Sequence, residues 1–373
     1  MKRWVTLLFP LALCANVHDA VATEITVQGH LQYDWWKSDN SMDGSQIFVP
    51  IELRGDKGDF TARLLTAFTR TESDAAIFDS QSLSSVIDTK VNLSYAMVDR
   101  LPVNLLFGLD VNCPTGKTDF DEDESLIVRD PDLISVVTFG EGFNVNPNVS
   151  MTKDWTSWGV GLGVGFLWRG EYDYSWEFRN YDPGNITYVT GEVRYYLGDN
   201  TLLRLFGDYG EFSKDELDGD DLYRESDFVL IGGETRYAGD RWESRCTLQG
   251  IFRGKSEFRM ANRGLQTESR DGYGDEFEAE LLLRYHFDDT LSIAPSFQFL
   301  YVNDNEYPET SPLYIGTRTK YGLGCSLRRA MSERCNLELF VRFGQVEDEE
   351  GWLANEEVSS KTHSVVLQYS GRF

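Results

Sequence analysis

Histidine is almost missing from this chain: there are four in 373 residues, beside five cysteines and ten prolines. A hydrolase needs a base beside its nucleophile. His30 and His286 have no serine two positions away, and His363 shares its alternate-residue face with Val365. The histidines therefore give no support to an enzyme. The cysteines are too sparse for a disulfide scaffold, and no C-x-x-C-H haem motif occurs. Past the N-terminus no apolar run is long enough to cross a bilayer as a helix. Positive charge is also scarce, with 35 Lys and Arg against 61 Asp and Glu and a net charge of −26. That balance excludes nucleic acid as a partner.

The N-terminus reads as an export signal. Lys2 and Arg3 precede an apolar run from Trp4 to Val17, and Ala20-Val21-Ala22 makes a small-x-small cleavage site. Cys14 would suit a lipoprotein, but Leu13 before it is not small. Residues 1–22 are expected to be removed, leaving 23–373 as the exported protein.

What the chain does have is aromatic residues (13%), 33 glycines and a repeated period of two. Ile25, Val27, Leu31, Tyr33 and Trp35 alternate with Thr26, Gln28, His30, Gln32 and Asp34. The same pattern recurs in Leu101–Leu109, Phe277–Phe287, Leu291–Tyr301, Cys335–Phe343 and Val365–Phe373. Counted through, it predicts sixteen strands. Connections alternate between tight turns, such as Gly55–Gly58 and Gly198–Asn200, and longer polar loops near 38–45, 71–86, 112–142, 169–185, 211–227, 254–275, 303–316 and 345–359. A soluble sandwich has no reason to sort its loops in this way. An all-β, 16-stranded antiparallel up-and-down transmembrane barrel does, with short periplasmic turns and long extracellular loops. Aromatic residues at strand ends (Trp35, Trp158, Trp168, Trp242, Tyr285) suit the two interfacial girdles. The final Phe373, following Val365, Leu367 and Tyr369, resembles the C-terminal signal of Gram-negative outer-membrane barrels. Gly371 departs from that signal.

One segment, "WGVGLGVGFLW", alternates apolar residues with Gly159, Gly161, Gly163 and Gly165. Its apolar face would meet lipid and its bare face the lumen. Either glycine eases local curvature there, or something lies against that wall. The expectation carried forward is that loop 112–142 does so, because Leu133-Ile134-Ser135-Val136-Val137 is too apolar to stand free in water.

Sixteen strands with a long third outer loop resemble the general porins. The resemblance implies that Asn112–Gly142 folds into the lumen and narrows it. "GLDVNCPTGKTDFDEDE" also resembles a short patch of porin-like barrels linked to uptake of aromatic or hydrophobic compounds. "CPTGKT" is no phosphate loop, since Val111 stands where its first glycine is needed. The first strand follows the cleavage site directly, which leaves no room for a plug domain. The acidic runs lack the spacing of a dedicated calcium loop.

Charge is concentrated in three loops. Residues 112–141 and 211–227 each hold eight acids against two bases, and 345–358 hold six against none. The expected pore-lining residues are Arg54, Arg63, Lys90, Arg194, Arg204, Glu234, Arg236, Arg245 and Arg284 on the walls. Asp119, Asp121, Glu122, Asp123 and Glu124 join them from the third loop. No cofactor and no metal site is expected. The reading is a diffusion channel with an acidic mouth. Its alternative is a barrel that sheaths a partner, as in porin–cytochrome conduits. Expected partners are outer-membrane lipid, the barrel-assembly machinery acting on the strand that ends at Phe373, and either a homotrimer or a protein guest.

Overall fold

The computed structural model describes residues 24–75, 78–260, 263–350 and 356–373. The export signal at 1–22 lies outside the described residues. In chain order the strands are β1 Glu24–Ser38, β2 Asp43–Lys57, β3 Phe60–Ala75, β4 Phe78–Val86, β5 Thr89–Met97, β6 Asn104–Cys113, β7 Asn144–Asp154 and β8 Trp158–Arg169. They continue with β9 Tyr181–Asp182, β10 Ile186–Leu197, β11 Thr201–Phe212, β12 Asp215–Leu217, β13 Asp220–Arg224, β14 Phe228–Ala238 and β15 Trp242–Arg253. The last are β16 Glu257–Met260, β17 Arg263–Thr267, β18 Glu276–His286, β19 Leu291–Val302, β20 Arg318–Ser332, β21 Cys335–Asp348 and β22 Val358–Arg372.

Sixteen of these strands form a closed antiparallel ring. Each pairs with its predecessor, and β1 closes on β22 in register from Thr26↔Arg372 to Ser38↔Ser360. Closure leaves the ring no free edge, the condition on which a sheet can stand in lipid. Alternation decides which face is which. Leu205, Leu162 and Leu323 point outward at 69%, 56% and 63% exposure, while inward Thr69, Thr71 and Gln46 are fully covered. An apolar belt of this extent is tolerable only in lipid.

Ring pairs mark the two borders of the belt. Trp155 stacks on Trp158 at 4.2 Å and Trp242 meets Tyr285 at 4.7 Å at the turn end. Trp35 stacks on His363 at 4.9 Å near the loop end, so this histidine is part of the outer girdle. The protein is an integral β-barrel of the outer-membrane kind.

Two regions differ from the sequence reading. The loop expected at 71–86 is the upper part of a hairpin: β3 runs on to Ala75, and β4 pairs with β3 alone, outside the ring. The loops expected at 169–185, 211–227 and 254–275 carry a second, five-stranded sheet in the order β17-β16-β13-β12-β9. These strands stand above the bilayer and need no lipid face, so they lack the alternation that betrays the ring. One local signal was present. Asp218-Gly219, both at positive φ (52° and 78°), makes the tight β12–β13 turn that an Asp-Gly pair favours.

Candidate functional site

The third loop, between β6 and β7, is tied at its base by a residue that its own sequence does not contain. Asp88 sits in the break between β4 and β5, at 3% exposure. Its carboxylate accepts hydrogen bonds from Gly116 N (2.7 Å), Glu141 N (2.7 Å) and Asn112 Nδ2 (2.7 Å). Both arms of the loop therefore meet on one acid. Gly116 is required there, because a Cβ would lie 1.9 Å from the Phe139 carbonyl oxygen. Above this point Phe120, Ile127 and Phe139 pack with Leu83 of β4 in a small buried cluster.

The middle of the loop turns inward and docks on the wall that runs from β20 and β21 through β22 to β1 and β2. Leu133 and Ile134 pack on Trp36 and Val346. Trp36 can lie flat there because Gly44 has no side chain; a Cβ would fall 2.2 Å from the indole. Gln46 holds the loop backbone at both ends of its amide, donating to Val136 O (2.9 Å) and accepting from Val136 N (2.8 Å). Ser135 donates to Asp34 at 2.9 Å.

A buried ion cluster completes the dock. Arg318, with its side chain 4% exposed, reaches Asp348 at 2.6 Å, Asp130 at 2.7 Å and Asp132 at 3.0 Å. Lys320 adds a contact to Asp132 at 2.8 Å. Asp130 and Asp132, counted among the mouth charges in the sequence, are thus consumed in holding the loop.

The loop and the glycine face do not meet in the way expected. The nearest atoms to Gly159, Gly161, Gly163 and Gly165 belong to Asp154, Glu192, Thr190 and Tyr188 of the flanking strands. A Cβ at Gly165 would lie 2.2 Å from the Tyr188 ring. The bare face is a bed on which long neighbours lie down, and it offers no reason to invoke a guest. The loop's apolar run found its cover on Trp36 and Val346 instead.

The expected wall residues separate into paired and unpaired groups. Arg54 bonds Asp56 (2.8 Å), Arg63 bonds Glu52 (2.6 Å) and Arg236 bonds Glu234 (2.7 Å). Arg204 meets Glu192 at 2.6 Å, Arg194 reaches Asp154 at 3.1 Å, Arg284 lies 3.6 Å from Glu338 and Lys90 3.8 Å from Glu141. Arg245 has no ion pair among the described residues. The five loop acids lie in and just before a one-turn helix Glu122–Ser125 beside β4. Glu124 turns back to Lys117 and to the Asp121 amide (3.1 Å), while Asp119, Asp121, Glu122 and Asp123 are exposed.

Beside the dock, a cavity of about 270 Å³ runs along β3 to β7, lined by Arg63, Lys90, Asn92, Asp110, Asn112, Asn144 and Asn146 and closed over by Glu141 of the loop itself. Towards the loop end lies another of about 420 Å³, bounded by Thr138, Glu141, Arg169, Tyr172, Tyr174, Phe178, Tyr181 and Leu222. Glu141 borders both. Sequence reading missed Asp88, the asparagines and the tyrosines, since none forms a motif; they converge only through the ring.

No family model matches the chain, and no curated protein sequence matches it. Solved structures similar to it include OccAB1 of Acinetobacter baumannii, at 10% identity and a TM-score of 0.49, covering 94% of this chain and 97% of that one. OpdQ of Pseudomonas aeruginosa matches at 9% identity and a TM-score of 0.46, covering 96% and 100%. The anion-selective porin from Comamonas acidovorans matches at 12% and 0.43, covering 94% and 100%.

Proposed function

We propose that this protein is an outer-membrane channel for passive diffusion of small hydrophilic solutes, with a polar lumen and an acidic mouth. The observation that carries this reading is the division of labour inside the ring. The third loop is fastened to the wall that runs from β20 to β2, and two cavities sharing Glu141 lie beside it, one along β3 to β7 and one towards the loop end. A loop held at both its base and its middle narrows a lumen without sealing it.

Charge supports the finer reading. Most wall arginines have a carboxylate within reach, so their fields are largely cancelled. Asp119, Asp121, Glu122 and Asp123 remain exposed at the rim, and exposed charges near an entrance set ion preference. The channel should therefore prefer cations at low salt. The preference should collapse as the Debye length falls from about 30 Å at 0.01 M to about 3 Å at 1 M. Reversal potentials of the purified protein in a planar bilayer under a salt gradient test this. Anion preference would assign control to wall cations such as Arg245, and absence of any conductance would refute the channel.

A further inference from the structure

The two cavities that share Glu141 differ in character. At the loop end Tyr172, Tyr174 and Tyr181 crowd together, with ring centroids 5.7 to 6.4 Å apart, and Phe178 borders the same cavity. Tyr174 and Phe178 are 37% and 40% exposed, so apolar ring surface remains open. Burial pushes the Tyr172 phenol up to about 12, and burial together with the Asp215 carboxylate raises Tyr181. These two phenols carry no charge at neutral pH, and the Arg129 guanidinium lies 5.8 Å from the centre of the Tyr174 ring.

Below Glu141 the wall is built of amides. Asp110 collects Asn92 Nδ2 at 2.6 Å, Asn148 Nδ2 at 3.0 Å and Asn146 Nδ2 at 3.3 Å, and Asn146 exchanges a hydrogen bond with the Tyr188 hydroxyl at 3.0 Å. An amide both donates and accepts, so such a row matches hydroxyl groups without choosing an ion; Asn146, whose two protons point at Asp110 and Tyr188, has its Oδ1 left to accept from one. Charges at the junction are of both signs: Glu141 and Lys90 lie 3.8 Å apart, and Arg169 borders the upper cavity. Neither sign of solute is favoured there.

A ligand that meets flat apolar rings first and amides afterwards needs a C–H-rich face and a hydroxyl-rich edge. Small neutral saccharides have both. We propose that this path is a saccharide track, with Tyr174 and Phe178 as the stacking platform and Asn92 and Asn146 as the hydroxyl-binding wall. The upper cavity, about 420 Å³, is of the size that small-molecule sites have. This rests on the channel reading and names its solute class.

Maltose, a neutral disaccharide, is the probe, with benzoate as the aromatic anion for comparison. In single-channel recordings, maltose should interrupt the current in a concentration-dependent way and benzoate should not. The double variant Tyr174→Ala/Phe178→Ala should raise the blocking constant about tenfold, the scale of losing one or two aromatic contacts. Phe258→Ala, in β16 of the outer sheet, should leave block as it was. A channel that conducts without interruption by maltose overturns the saccharide track and leaves the channel standing. Block by benzoate alone, or maltose block untouched in the double variant, also overturns it. If the barrel does not conduct, tryptophan fluorescence of the detergent-solubilised protein still decides. Saturable quenching by maltose that the double variant weakens supports the track, and no response refutes it.

Discussion

Arg318 gathers three carboxylates from two parts of the chain, with Asp130 and Asp348 themselves nearly inaccessible. A buried ion cluster is not by itself a source of stability, because desolvation opposes the attraction. Removing one partner is costly, since the others stay buried and unpaired. Arg318→Met should therefore weaken the docked loop by about 3–5 kcal/mol. The expected readout is protease cleavage between residues 117 and 132 in a barrel that otherwise stays folded. Arg318→Lys should restore only part of the protection, because one ammonium cannot replace a guanidinium that forks to several acids. Gly165 poses a different residue-scale test. Gly165→Leu drives a side chain into the Tyr188 ring and should break its bond to Asn146, at about 1–3 kcal/mol of overpacking. Gly191→Leu is the control. Its Cβ would face outward and meet only Leu162 Cδ2 at 3.6 Å. A lower denaturation midpoint and altered conductance are expected for the first variant and neither for the second.

Strands rather than side chains govern closure. β1 and β22 are the two ends of the ring, paired over the full length of the bilayer, with Leu31 opposite Leu367 and Ile25 N bonded to Phe373 O at 3.1 Å. Proline at the middle of β22 removes a ladder donor where no water can replace it. Leu367→Pro should abolish the compact, heat-modifiable band on cold SDS gels, while Phe258→Pro in β16 of the outer sheet should leave that band intact. The ring strands were legible in the sequence because one face of each must satisfy lipid, which imposes period two residue by residue. β4, β9, β12, β13, β16 and β17 escaped because water faces them and sets no such pattern.

Across the whole molecule, acid is concentrated in the segments 112–141, 211–227 and 345–358, while most wall arginines have a carboxylate within reach. Neutralising Asp119, Asp121, Glu122 and Asp123 together as Asn and Gln should lower cation preference most at low salt. At 0.1 M the Debye length, about 10 Å, already shields much of the rim from the lumen. Reversal potentials at the two salts check this. An equal effect at both would place the selecting charges inside the barrel instead.

By itself the sequence determined the closed sixteen-stranded ring, the alternation of turn and loop ends, the aromatic borders and the importance of the third loop. Each follows from constraints acting within ten residues or so, where lipid, interface and turn geometry leave a periodic mark. The tertiary structure alone decided where that loop lies. Its apolar run could have met any wall, and the glycines of β8 looked the most receptive. Two things settled the choice. Asp154, Glu192, Thr190 and Tyr188 already cover those glycines from adjacent strands. On the other side, Arg318 stands 188 positions from Asp130 with the charge, and Trp36 with the apolar surface, that the loop requires. Contacts at that separation carry no period and no spacing, so they become visible only when the ring has closed.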